Sequence, residues 1–429
     1  MPTEPVTASP GPGPAADRAP RRASGAITAA RASAVAAVAA ATMAALWWYG
    51  NRHDFFDLRI YVSAMRWWAD GNPLYDWAQP DRVQGQLYFT YPPFTALLLR
   101  PFADVPLGVT IALFTAGTAV ALGVTTWWLV TPLADRHRWP RWFVAGLAIP
   151  LVFFIEPTRE TIAFGQINML LIVLILGDLL FAVPRKWRLA GVGIGLATAI
   201  KLFPGIFIVY LLLTRRWRAA GVAAATATAA TLLAAALAPQ ASWQFWTEAL
   251  WSTERVGRTD YTGNQSFQGL LSRLTAPEAP DRLVWLAAVA VIAGYGLWRA
   301  TRAARAGDEV TGLALTGLVA ALISPLTWPH HVYWFVPAIV VLVGAALAPG
   351  PVRGRLGYAA LAVVTYAVAA FGVVSFVDFG VAAEPTDSVG EFLLRNAYVL
   401  LALVLLVALP VREPVDAPTA TAVAVPDGH

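Results

Sequence analysis

The residue whose surroundings demand chemistry is Lys201, which stands at the midpoint of an apolar run covering residues 189–214. An ammonium in such a run costs roughly 2.5–3.5 kcal/mol on insertion scales, and side chains tolerated there are functional by default, with an anion as natural partner. Snorkelling to the interface or pairing with a buried acid such as Asp178 is the plainer alternative. His330 and His331, two of the chain's five histidines, follow Ser324-Pro325-Leu326-Thr327-Trp328-Pro329 at the start of another apolar run. They can donate hydrogen bonds to a phosphate or shuttle a proton. Adjacent residues rarely aim at one ion, so a metal site is not expected. Asp57 lies in Phe55-Phe56-Asp57-Leu58-Arg59-Ile60-Tyr61. A carboxylate among aromatics at a membrane surface is partly desolvated, which raises its pKa and makes it a better base near neutrality. A solvated aspartate or a pair with Arg59 is the alternative, and Asp54 fits the same role. Arg159, Glu160, Gln166 and Asn168 form a polar group beside a further apolar run. Gln166 and Asn168, two apart, would not share one face of a continuous helix. They can hydrogen-bond a sugar or cap a helix. Gly263-Asn264-Gln265-Ser266 adds a polar cluster in a long segment rich in Trp, Thr and Gly.

The elements that must position these groups are membrane helices. The chain has 429 residues, of which 58% are hydrophobic and 13% charged, against about 25% charged in soluble domains. Apolar runs sit near 27–50, 106–131, 141–156, 166–183, 219–239, 283–299, 310–323, 331–348, 356–377 and 393–411. These predict an all-α polytopic membrane protein crossing the bilayer about ten times. Residues 1–26 and 413–429 are expected to be disordered cytoplasmic tails flanking one membrane domain over 27–412. The run at 27–50 ends in Trp47-Trp48-Tyr49, an aromatic belt rather than a cleavage site. With no cysteine, disulfides, thiol catalysis and Cys-ligated zinc are excluded.

The run at 189–214 decides the topology. Arg185, Lys186 and Arg188 precede it, and Arg215, Arg216 and Arg218 follow it. The positive-inside rule wants both clusters in the cytoplasm. A re-entrant hairpin or broken helix pair with Lys201 at its tip satisfies that. Each half is about 18 Å of helix, too short to span about 30 Å alone. Irregular backbone at that depth is tolerated where it lines a cavity. The long segments Asn51–Asp104 and Gln240–Asp281 then lie outside, and Ile60–Trp68 within the first reads as a short amphipathic stretch. Walker A, dinucleotide and His-Glu-x-x-His motifs are absent from the sequence, and the predicted cytoplasmic loops are too short for a nucleotide-binding domain.

Taken in order, Asp57-Leu58-x-x-Tyr61, Gly71-Asn72-Pro73-Leu74-Tyr75, Tyr91-Pro92-Pro93, Gly165-Gln166-x-Asn168, Ile200-Lys201-x-x-Pro204, Asn264-Gln265-Ser266 and Ser324-Pro325-x-x-Trp328-x-His330-His331 form a set. The set resembles glycosyltransferase family 87, the polyprenol-phosphate-mannose-dependent alpha-1,2-mannosyltransferases acting on phosphatidylinositol mannosides and related lipoglycans. The resemblance runs from about residue 45 to 345 and leaves out the last two apolar runs and both tails.

The resemblance implies a GT-C-type bundle of about ten to twelve membrane helices with a periplasm-facing cavity in the cell membrane. It implies Asp57 as base, and Lys201 with His331 or His330 near the carrier phosphate. The implied reaction is inverting transfer from polyprenol-phosphate-mannose to a glycolipid acceptor. Arg59 would add positive charge at the phosphate. Tyr61, Arg159, Glu160, Gln166, Asn168, Asn264 and Gln265 would serve substrate binding. Membrane lipids are the expected surroundings. No metal, cofactor or nucleic acid is expected. Transfer of another sugar such as arabinofuranose, or a lipid or sugar transporter or flippase built on the broken helix, are the competing readings.

Overall fold

The computed structural model describes residues 18–81, 85–252, 255–381, 386 and 388–411, with side chains from residue 25 onward. The fold is mostly helical. The helices are α1 (Arg18–Tyr49), α2 (Phe56–Ala69), α3 (Pro93–Leu99), α4 (Leu107–Arg136), α5 (Arg141–Phe154), α6 (Glu156–Phe164), α7 (Asn168–Gly177), α8 (Val192–Ile200) and α9 (Ile206–Leu213). They continue as α10 (Trp217–Leu237), α11 (Pro239–Thr247), α12 (Phe267–Thr275), α13 (Arg282–Arg305), α14 (Glu309–Ile323), α15 (Phe335–Leu347), α16 (Val352–Phe371), α17 (Val389–Arg395) and α18 (Ala397–Ala408).

Among the described residues, five helices are long and apolar enough to cross a membrane, or seven if two bent pairs each count as one span. The bent pairs are α5 with α6, at 65°, and α17 with α18, at 74°. α14 is the hub of the bundle. Every side chain from Thr311 to Leu322 is buried, and α13, α15 and α18 pack around it. A helix apolar on all sides belongs inside rather than at the lipid boundary.

Two expectations need correction. The stretch 1–26 is not wholly irregular, because α1 begins at Arg18. Its Ala- and Arg-rich segment favours helix, and Pro20 falls in the first turn, where its missing N–H costs nothing. Residues 1–17 and the tail 413–429 lie outside the described residues. The all-α expectation also meets an exception, a short hairpin in the first long segment. Ala78–Asp81 (β1) and Gly85–Tyr88 (β2) pair antiparallel, with Ala78 opposite Tyr88. The amphipathic stretch Ile60–Trp68 does form, as part of α2.

The run around Lys201 folds back on itself. α8 ends at Lys201, whose backbone is extended (φ −150°, ψ 129°), and a turn at Phe203–Gly205 starts the return along α9. The Arg218 guanidinium donates to the Arg188 carbonyl at 3.1 Å, so the two basic clusters meet at one end. Asp178 is not the partner of Lys201. It sits at the basal end, where its carboxylate accepts from the Gly191 and Ile194 amides at 3.0 and 2.8 Å and caps α8. At the same end Arg216 forms a two-pronged pair with Glu309, and the Tyr210 hydroxyl donates to Glu309 at 2.9 Å. These bonds tie the hairpin's base to the central helix. Its tip is fixed by Thr95 of α3, whose hydroxyl donates to the Ile200 carbonyl at 2.5 Å.

Close approach of α8 to α10 depends on Gly191. Its φ is +107°, and a Cβ there would lie 2.2 Å from the Ala219 carbonyl oxygen. Any side chain adds backbone strain and overpacking of roughly 1–3 kcal/mol each. Gly191→Val is expected to lower the melting temperature of the detergent-solubilised protein by several degrees, whereas Gly221→Ala, in open space on α10, leaves it unchanged. Equal melting curves would remove the proposed contact.

Candidate active site

A cavity of about 420 Å³ opens beside the tip of the hairpin, between the first long segment, the α6–α7 junction and the turn before α15. Its wall begins with α2. The Phe55 amide donates to the Ala163 carbonyl at 2.9 Å, which seats the start of α2 on α6. Gly165 ends α6 in the left-handed region (φ +70°), and a Cβ there would approach Leu58 to 2.6 Å. The glycine of Gly165-Gln166-x-Asn168 therefore lets α2 lie against the end of α6. Asp57 in the first turn of α2 faces the cavity as a result.

Gln166 is in the link between α6 and α7, not in a helix, and Asn168 starts α7. The break in backbone at Gly165 lets two residues two apart serve one site, contrary to the helical expectation. The Gln166 amide nitrogen donates to the Asp57 carboxylate through a short contact. Its carbonyl oxygen is 2.9 Å from each of the Tyr61 and Tyr91 hydroxyls, which lie 2.7 Å from one another. Lys201 Nζ donates to the Tyr91 hydroxyl at 3.3 Å and to Asn168 Oδ1 at 3.2 Å. A continuous polar chain thus runs from Asp57 to Lys201 through one amide and one phenol. Desolvation pushes the Asp57 carboxyl up to about 6, against the lowering effects of the Gln166 hydrogen bond and the Lys201 charge.

His331 Nε2 stands 2.9 Å from Lys201 Nζ. Its Nδ1 accepts from the Trp328 amide at 3.1 Å, so in the neutral ring Nε2 carries the proton. His330 lies edge-on to His331, with centroids 4.6 Å apart, and also lines the cavity. Among the described residues neither of its ring nitrogens has a hydrogen-bond partner. Its carbonyl accepts from the Asn168 amide at 3.1 Å.

Other candidates stand elsewhere. Arg59 turns to Asp54, at 2.9 Å on the exposed side of α2, and does not line the cavity. That pair also removes Asp54 as an equivalent of Asp57. Arg159 lies over the Tyr49 and Phe154 rings and donates to the Ala370 carbonyl at 2.9 Å, away from the cavity. Asn264 is fully buried as a loop organiser. Its amide nitrogen donates to the Thr259 and Pro325 carbonyls at 3.0 and 3.2 Å, and its oxygen accepts from the Thr327 amide at 3.0 Å. Gln265 joins the Thr262 and Arg395 carbonyls and the Tyr398 amide. Glu160 does line the cavity, but against His53, at 2.8 Å. Sequence reasoning missed His53 and Tyr91 as site residues. His53 carried a signal, lying four residues before Asp57; Tyr91 appeared only as part of a chain break.

Because Asn264 satisfies several buried backbone groups, Asn264→Ala leaves them unpaired at about 1–3 kcal/mol each. We expect a markedly lower melting temperature and poor recovery from detergent. A variant with wild-type melting would show that Asn264 is not structural.

Comparison with known proteins points to one family. The model of glycosyltransferase family 87 matches residues 89–325. A polyprenol-phosphate-mannose-dependent alpha-(1-2)-phosphatidylinositol mannoside mannosyltransferase of Mycolicibacterium smegmatis is 34% identical over 306 residues, covering 66% of this chain and 69% of the relative. Its namesake in Mycobacterium tuberculosis is 32% identical over 309 residues, covering 68% and 71%. A pentamannoside mannosyltransferase of M. tuberculosis is 31% identical over 309 residues, covering 72% and 69%. No solved structure matches. With a family model matching more than half of the chain and relatives above 30% identity aligned over about two thirds of it, this protein belongs to glycosyltransferase family 87.

Proposed function

We propose that this enzyme transfers a mannosyl residue from polyprenol-phosphate-mannose to a lipid-linked mannoside at the outer face of the cell membrane, with inversion at the anomeric carbon. The cavity lies at the end of the hairpin opposite the arginine clusters, and basic loops favour the cytoplasm. That argument supports an outward-facing site in a bundle of about ten crossings. The two substrates are carried over from the printed names of the relatives.

The observation that carries the reading is the convergence of Asp57 and Lys201 on one cavity without direct pairing. In the proposed step, Asp57 takes the proton of an acceptor hydroxyl. The hydroxyl oxygen bonds to the anomeric carbon, and the carbon–oxygen bond to the phosphate breaks with its electron pair leaving on phosphate oxygen. Lys201 and His331 present N–H groups toward one another across 2.9 Å. Two donors in contact favour an anionic oxygen beside them that accepts from both, and the leaving phosphate supplies one. Such preorganised donors act where water is scarce and cost little reorganisation. His330 borders the same space. Gln166, itself fixed by Tyr61 and Tyr91, holds Asp57 in place, and Asn168 holds Lys201.

Asp57→Asn and Asp57→Ala are expected to lose at least about 10³-fold in label transfer from polyprenol-phosphate-mannose at equal expression, within the range for a general base. Lys201→Ala should lose about 10²–10³-fold, as for an oxyanion donor. Full activity in the Asp57 variants would remove the base; movement of intact lipid without a glycosidic product would replace the enzyme by a flippase. The sign of the pH dependence follows from Asp57. The ionised form is active and its pKa is raised to about 6, so kcat/KM should fall as pH drops through that value. A profile flat down to pH of about 4, the ordinary carboxylate range, would contradict it.

A further inference from the structure

His53 lies at the start of the first long segment, four residues before Asp57, and lines the same cavity. Its Nε2 is 2.8 Å from a carboxylate oxygen of Glu160, which is fully buried. Its ring is stacked on Phe164, with centroids 4.0 Å apart and planes at 15°. Phe164 in turn meets His330 edge-on. The imidazole is thus clamped between a buried carboxylate and an aromatic face, on the wall of the cavity that also carries Asp57. A buried carboxylate strongly favours the charged form of an adjacent histidine.

We propose that His53, held as an imidazolium by Glu160, is a positioning residue that keeps Asp57 ionised when a phosphate occupies Lys201. This rests on Asp57 being the base. Two cations, Lys201 and His53, oppose the desolvation of Asp57, to which the charge of Glu160 adds. A bound phosphate consumes the field of Lys201, and His53 remains. Burial works against the imidazolium, but Glu160 outweighs it and raises His53 above its usual value, helped by the charges of Asp57 and Glu156. Glu156 is itself engaged by the backbone amides of Val373, Val374 and Ser375. Arg52 is drawn to the Ser375 carbonyl and the Tyr49 ring, and Arg159 to Tyr49. The Tyr49 hydroxyl donates to Glu160. Asp81, Arg255 and Asp378 complete the charged lining of the cavity. His53 and Glu160 are neutral as a pair, so deleting both leaves Asp57 near its wild-type state, whereas deleting His53 alone exposes Asp57 to an uncompensated anion.

The test is kcat/KM against pH for the full-length enzyme in detergent, with labelled polyprenol-phosphate-mannose and a phosphatidylinositol mannoside acceptor. His53→Gln should move the acidic limb up by about one pH unit, roughly a tenfold loss on that limb, with the deficit closing toward alkaline pH. The double variant His53→Gln/Glu160→Gln should move the limb back toward wild type. A role confined to packing predicts a loss independent of pH and no rescue, and that result would overturn the proposal, as would an unmoved limb. The histidine ring state of the wild-type protein gives an independent readout. ¹⁵N chemical shifts should show His53 cationic at neutral pH, and a neutral ring there rejects the proposal without any variant. Asp57→Ala separates the two layers: if it is active, the base assignment fails; if it is dead while the His53→Gln limb stays in place, only the role of His53 fails.

Discussion

A cation placed at depth in an apolar bundle has to be partnered, and the surroundings of Lys201 are arranged around that requirement. Its ammonium touches Tyr91 from the first long segment, Asn168 from α7 and His331 from the turn before α15. The backbone that carries it is secured by Thr95 from α3. Three segments remote in sequence, the first long segment with Tyr91 and Thr95, α7, and the turn before α15, therefore converge on a tip of a few residues. None of the partners is an acid, so the charge stays available to an anion. A carboxylate in that position would satisfy it permanently. The structure instead spends Asp178 at the opposite end, as the cap of α8.

The folded-back hairpin follows from the same constraint. A helix running straight through would hold Lys201 against lipid or neighbouring side chains, with no irregular backbone to line a cavity. Folding back at Lys201 frees the end of α8 from helical geometry. The two arginine clusters can then share one side of the membrane, and Arg218 meets the backbone of Arg188. The Arg216–Glu309 pair joins that base to the buried helix α14. The tip is thus held from below by ion pairing and from its flank by Thr95, which limits how far Lys201 can move relative to the cavity.

The features legible in the sequence were those with a single physical cause. Apolar runs and a misplaced ammonium have few explanations, so the membrane class, the folded-back pair around Lys201 and the placement of His331 and Asp57 beside it at one cavity were readable. The bent pairs were not, because the 65° bend between α5 and α6 lies at Ile155, where the apolar run gives way to Glu156-Pro157-Thr158-Arg159-Glu160, a polar stretch whose composition reads as a loop. Polar clusters were ambiguous for a different reason. Asn264 and Gln265 have the composition of a sugar-binding pair, yet a polar segment folded over a bundle also needs buried amides to pair its backbone. Sequence does not distinguish an amide facing a ligand from one facing a carbonyl. Arg273 shows the same principle: its fully buried guanidinium joins Asn396 and the Tyr261 and Asn264 carbonyls. Arg59 is paired with Asp54 and does not line the cavity, a placement that the sequence left open.

The separation of Asp57, the proposed base, from Lys201 is enforced by the groups around them. If Asp57 and Lys201 paired directly, each would lose its use: the carboxylate would be too weakly basic, and the ammonium would be neutralised before an anion arrived. Gln166 and Tyr91 stand between them, with the amide serving Asp57 and the phenol serving Lys201. An amide and a hydroxyl transmit orientation without carrying charge. They fix both groups while leaving the space between them for a substrate whose proton goes to one end and whose leaving charge goes to the other. Tyr61 completes this spacer by meeting both Gln166 and Tyr91. A conservative change within the spacer therefore need not touch either charged group to damage the site, because it is the enforced separation that makes the two opposite charges useful together.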